Sequence, residues 1–120
     1  MKTTVVIGAS PNPERFSFKA VTALRHHDHH VIAVGLKEGT IAGVEILKGK
    51  PEIKEKIDTI SLYIGPARQV DEYDYILSLK PKRIIFNPGT ENEELKKLAR
   101  ENNIKIVEDC TLVMLKKGIY

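Results

Sequence analysis

Apolar positions along this chain follow two alternating patterns. Short continuous runs rich in β-branched residues occur at residues 4–8, 31–35, 44–47, 60–64, 83–87 and 104–107. Such runs predict strands buried on both faces. Between most of them, apolar residues return every third or fourth position, the mark of an amphipathic helix. Phe18, Val21 and Leu24, with Ala20 and Ala23 beside them, predict the first helix. Pro51 suits the first turn of a brief helix carrying Ile53 and Ile57. Val70, Tyr73, Ile76 and Leu77 predict one face of another, stopped by Lys80 and Pro81. The order Thr90-Glu91-Asn92-Glu93 has the spacing of a capping box, with Thr90 at the N-cap. It opens a helix that turns Leu95, Leu98 and Ala99 inward. Residues 111–117 predict a last short helix, with Gly118 placed to end it.

Strand and helix alternate from end to end, with no repeat, linker or low-complexity tract. The expectation is an α/β fold in one domain, residues 1–120: a Rossmann-like, doubly wound, mostly parallel sheet of five or six strands, helices on both faces. Ligands of such sheets bind outside the carboxyl ends of the strands, where the winding reverses beside the first strand. That rule selects Gly8, Ala9 and Ser10, then Gly35 to Lys37. Further along it selects Gly65 and Pro66, then Asn87, Pro88 and Gly89, and last Cys110 and Thr111.

Composition narrows the classes. With 42% hydrophobic and 29% charged residues the chain is expected to fold rather than stay disordered. No apolar run reaches the roughly 18 residues of a membrane span. The first apolar run is too short for a secretion signal. A lone cysteine, Cys110, excludes an internal disulfide and suits a reducing compartment, so a cytoplasmic location is expected. The net charge of +3 is spread evenly and Trp is absent, which argues against a nucleic-acid surface.

The loop after the first strand carries the candidate chemistry. It reads Gly8-Ala9-Ser10-Pro11-Asn12-Pro13-Glu14-Arg15-Phe16-Ser17 and lacks the Gly-x-Gly-x-x-Gly fingerprint of dinucleotide sites. Arg15 suits pairing with a phosphate, and the Ser17 hydroxyl and N–H suit donating to one. The same two residues also suit a solvated charge and a plain helix cap. After the second strand the first charged residue is Lys37, which favours a phosphorylated ribose. Glu38 follows it and keeps a bare ribose, as in NAD, as the weaker option.

These residues resemble the CoA-binding domain family of small bacterial proteins. That family shares the Rossmann-like fold of the N-terminal domain of the succinyl-CoA synthetase alpha subunit. The stretch Phe86-Asn87-Pro88-Gly89-Thr90-Glu91-Asn92 and the tail Val107-Glu108-Asp109-Cys110-Thr111-Leu112-Val113 are similar to a branch of it. The resemblance implies that Gly8, Ala9, Ser10 and Ser17 cradle a pyrophosphate, with Arg15 in the same motif. It implies that Lys37 sits by the phosphorylated ribose. Ile64, Gly65 and Pro66, with Asn87, Pro88 and Gly89, would face the nucleotide or the pantetheine arm. Phe16 and Phe18 depart from the family's usual Pro or Tyr, a tolerable change, and the short third-strand region makes the adenine contacts hardest to place.

Other groups read as structural. His26, His27, His29 and His30 crowd one turn, and neighbours in sequence cannot all face one metal. Cys110 has no histidine near it in sequence and reads as a buried thiol; a mixed disulfide with the thiol of CoA is the alternative. Asp71, Glu72, Glu91, Glu93 and Glu94 are first-turn helix acids that suit the helix dipole. The expectation is therefore non-catalytic binding of coenzyme A or an acyl-CoA, as a carrier, sensor or partner module, with no metal and no catalytic residue assigned. A protein partner stays open. Two alternatives stand beside it: an NADP- or nucleotide-dependent enzyme on the same fold, and an interaction module with a decayed nucleotide site.

Overall fold

A computed structural model describes residues 1–120. Its strands are β1 (Thr4–Ala9), β2 (Val31–Gly35), β3 (Thr40–Ile41), β4 (Val44–Lys48), β5 (Thr59–Leu62), β6 (Arg83–Phe86) and β7 (Lys105–Glu108). Its helices are α1 (Phe16–His26), α2 (Pro66–Gln69), α3 (Tyr73–Ser78), α4 (Glu93–Glu101) and α5 (Thr111–Lys117). The strands form one sheet in the order β3-β4-β2-β1-β5-β6-β7, parallel throughout except for β3 against β4. This is a Rossmann-like winding: the chain steps outward from β1 to β2 and β4, then returns to the other side of β1 at β5.

Alternation within the strands divides the core between the two faces. Val5 and Ile7 of β1 point to one face with Ile32, Val34, Ile60, Leu62, Ile84 and Phe86. There they meet Ile76 of α3 and Leu95 and Ala99 of α4. Val6 and Ala9 point to the other face with Val31, Ala33 and Ile46, against Val21 and Leu24 of α1 and Leu115 of α5. Covering both faces explains why the strands read as continuous apolar runs. No helix is long and apolar enough to cross a membrane.

The structure departs from the sequence expectations in four places. The sheet has seven strands, not five or six, because the two-residue β3 pairs antiparallel with β4. Their hairpin turns at Ala42 (φ 48°) and Gly43 (φ 81°), the left-handed pair that a tight hairpin favours. The stretch from 51 to 58 is not helical. From the carboxyl end of β4 the chain must reach the amino end of β5, three strands across. That is roughly 14 Å sideways and 16 Å lengthwise. Ten helical residues would span only about 15 Å, whereas an extended run reaches about 30 Å. Ile57 is still buried, as the run lies across the sheet.

The helix expected around Val70 is broken by a 3-10 turn at residues 70–72 between α2 and α3. The change of pitch leaves Val70 exposed and buries Gln69 instead. Finally, α4 is capped by Asn92, whose side-chain oxygen accepts from the N–H groups of Glu94 (3.0 Å) and Leu95 (3.3 Å). Thr90 is not the cap: its hydroxyl donates to the Asn87 carbonyl at 2.7 Å.

Candidate functional site

The end of β1 sets the site. Ile7 pairs with Val34 and Ala9 with Gly35, so Gly8 is an extra residue in the ladder, a bulge at φ 96°. A Cβ at Gly8 would stand 2.9 Å from the Tyr63 carbonyl carbon and from Ile64 Cγ2. A Cβ at Gly35 would stand 2.1 Å from the Ala9 carbonyl oxygen. Only glycine allows the three strand ends to close together here.

Beyond Ala9 the loop folds on its own polar groups. Ser10 Oγ accepts from the Asn12 N–H (3.1 Å), and Asn12 Oδ1 accepts from the Glu14 N–H (3.0 Å). The Arg15 N–H donates to the Asn12 carbonyl (3.0 Å), and α1 follows at once. Its N-cap is Arg15, in extended conformation, which makes no side-chain capping bond. Its first turn holds no acidic residue. Ser17 lies one position inside the helix and is buried, so it is not the cap.

This helix start faces a groove across the carboxyl ends of β1, β2 and β5. The groove has two compartments that share Gly8, Leu36 and Arg68. The larger, about 530 Å³, is lined by Gly8, Ala9, Ser10, Arg15 and Ser17 from the first loop. Of the other expected residues, Lys37, Gly65, Pro88 and Gly89 lie on its walls. The smaller, about 300 Å³, has a floor of Ile7, Val34 and Ile64 and walls of Lys50, Asp71 and Glu72. Gly35 also lines it. Pro66, Asn87, Cys110 and Thr111 line neither compartment.

Arg68, Tyr63 and the walls at Lys50 and Glu72 were not anticipated from sequence. Arg68 carried a usable signal, since it lies one turn beyond the strand-end Gly65. Phe16 and Leu36, both strongly exposed, form an apolar rim.

A buried polar network holds the loops beneath the groove. Asn87 Nδ2 donates to Ser61 Oγ (2.9 Å) and the Leu62 carbonyl (2.8 Å), while its Oδ1 accepts from the Thr111 N–H (2.8 Å). Gln69 Nε2 donates to the carbonyls of Ile64 (2.9 Å) and Thr90 (2.7 Å). Asn92 Nδ2 donates to Gln69 Oε1 (2.9 Å) and to the Tyr73 hydroxyl (2.8 Å). Asn87 thus fastens the ends of β5 and β6 to the start of α5 from beneath the groove. A satisfied network of this kind fixes loop geometry.

The larger compartment is electropositive. Arg15, Lys37 and Arg68 have no carboxylate within 4.0 Å, and Glu14 is the one acid on the larger compartment's lining. Glu38 is turned away to Lys48 (3.3 Å), and Glu72 is engaged by Lys50 (3.5 Å). The Tyr63 hydroxyl is enclosed without a hydrogen-bond partner. Burial pushes its pKa up to about 12, so it keeps its proton at neutral pH.

The histidines lie at the amino ends of the strands, away from the groove. His29 Nδ1 accepts from the Lys2 N–H (2.9 Å), and its ring packs on Tyr120 at 4.9 Å. His30 meets Glu55 at 2.6 Å, and His26 and His27 stand edge to face. Cys110 is half-buried, its N–H donating to Asp109 Oδ1 at 2.7 Å.

The family model described as a CoA binding domain matches residues 2–116. A crystal structure of an uncharacterized protein shares 51% identity, covering 100% of this chain and 98% of its own, with a TM-score of 0.96. A cell-free-expressed protein from Thermus thermophilus shares 25% identity over 99% of this chain and 90% of its own, TM-score 0.88. A hypothetical protein from Pyrococcus horikoshii OT3 shares 26% over 97% and 82%, TM-score 0.87.

Proposed function

The chain belongs to the CoA binding domain family, and from that premise we propose that its groove binds coenzyme A or an acyl-CoA without transforming it. The observation that carries this reading is the start of α1. An uncapped helix with no acid in its first turn leaves donor N–H groups and the positive end of its dipole directed at the groove. A pyrophosphate is the kind of acceptor such an end lacks. Ser10 and Ser17 add hydroxyl donors, and Arg15 adds a cation. Lys37 stands by the ribose and supplies charge for its phosphate. Gly65, Pro88 and Gly89 leave a lane for the pantetheine arm past Tyr63. The role is that of a carrier, sensor or partner module.

The NADP reading draws on the same phosphates. It is weighed down by the absence of a Gly-x-Gly-x-x-Gly turn in residues 8–17. Calorimetric titration with CoA, acetyl-CoA and NADPH separates the readings. Saturable binding of CoA and acetyl-CoA, with NADPH much weaker, is expected. Preference for NADPH would support the enzyme, and no binding at all would support the interaction module.

A further inference from the structure

We propose that Arg68 is the specificity-determining residue of the groove, reading the phosphate on the ribose so that 3′-phosphorylated coenzymes are preferred over dephosphorylated ones. This rests on the coenzyme A reading and deepens it.

The placement follows from the two compartments. The apolar floor of Ile7, Val34 and Ile64 suits a flat base, and these three side chains are almost wholly buried beneath it. The larger compartment, with Ser10, Ser17 and the start of α1, suits the diphosphate. In an adenosine diphosphate the ribose lies between base and diphosphate. It must therefore rest at the junction, which Gly8, Leu36 and Arg68 alone share. Of these, Arg68 is the charged one.

Its guanidinium is also free to act. It makes no ion pair and no hydrogen bond, although Asp71 and Glu72 follow it closely in sequence. Lys50 accounts for Glu72, whose carboxylate its ammonium engages at 3.5 Å. The same ammonium donates to the Asp71 main-chain carbonyl at 2.7 Å, and the Asp71 carboxylate pairs with neither Lys50 nor Arg68. Arg68 and Lys37 stand on the two flanks of the β1 turn, one beyond β5 and one beyond β2. A phosphate monoester near neutral pH carries close to two negative charges, its second pKa lying near 6. Two opposed cations match that charge, and arginine adds a planar, two-pronged donor set.

The test is titration of wild type, Arg68→Ala, Arg68→Lys and Lys37→Ala with CoA and with dephospho-CoA. Arg68 is exposed, so its replacement leaves the melting temperature unchanged, which circular dichroism checks. In Arg68→Ala, CoA is expected to weaken by about tenfold or more and dephospho-CoA by less than about twofold. Arg68→Lys should recover part of the preference. Wild-type preference for CoA should shrink as pH falls below about 6, where the monoester gains a proton. Equal weakening of both ligands would overturn the assignment, because Arg68 would then be reading the diphosphate. No change for either ligand would overturn it too, while leaving the coenzyme reading intact. A wild-type protein that binds neither ligand would overturn both.

Discussion

His29 shows how a single residue sets a condition on the fold. Its Nδ1 accepts a hydrogen bond from the Lys2 backbone, which requires that nitrogen to carry no proton. Partial burial, the nearby N-terminus and the cations of His27, Lys2 and Arg83 all lower its pKa from 6.5. The folded state thus binds the proton less readily than the unfolded chain. Stability is complete above about pH 6.5 and falls as the pH drops through the lowered folded value. Thermal melts of wild type and His29→Asn at pH 7.5 and 5.5 check this. Asn supplies an acceptor that does not titrate, so the wild type is expected to lose more stability across that interval. Residues of this kind are poorly legible in sequence: four clustered histidines suggest one site, and only the fold separates His29 on Tyr120 from His30 on Glu55. Glycines are more legible. Gly8 lies one residue before the end of β1 and Gly35 ends β2, and the structure finds carbonyls where their side chains would be.

At the scale of elements, α1 is built with its beginning left open. Its N-cap Arg15 has the extended backbone that a capping Asp prefers, but a side chain that cannot accept. Arg15→Asp is therefore expected to act in opposite directions on two readouts. It should raise stability by about 1 kcal/mol through the new cap. It should also weaken CoA binding, since a carboxylate would occupy the anion position and a cation would be lost. Urea unfolding and titration of the same variant measure both. A fall in stability together with unchanged binding would speak against an anion site at this helix.

Element boundaries divide the legible from the hidden here. Helix α5 and its Gly118 follow from local pattern, as does β2. The extended crossover after β4 does not, because its shape answers a distance between strands that are remote in sequence. The cap at Asn92 was hidden behind a plausible capping box at Thr90. Asn92 won because its side chain also serves Gln69 and Tyr73, partners brought there by the fold.

Across the whole molecule, six parallel strands place their carboxyl ends on one side, and the groove opens where the winding reverses at β1. The strand-end part of the groove's lining was legible because each strand end is a local feature: Gly8, Lys37, Ile64 and Gly65 could be named in order. Lys50 and Glu72 on the walls were not, since they gain their places only when the crossover and the 3-10 break bring them over the sheet, whereas Arg68 lies just one turn beyond Gly65. The overall charge is a modest +3, yet three unpaired cations gather on this one groove. Local concentration of charge, not net charge, makes it suited to a polyanionic ligand.

The most direct measurement is an amide-resolved NMR titration of the protein with CoA. The account predicts saturable shifts concentrated at Gly8, Ser10 and residues 16–18, with smaller ones at Lys37 and Arg68, while the amino-end residues around His29 stay still. Shifts scattered over another face, or none at any CoA concentration, would contradict it.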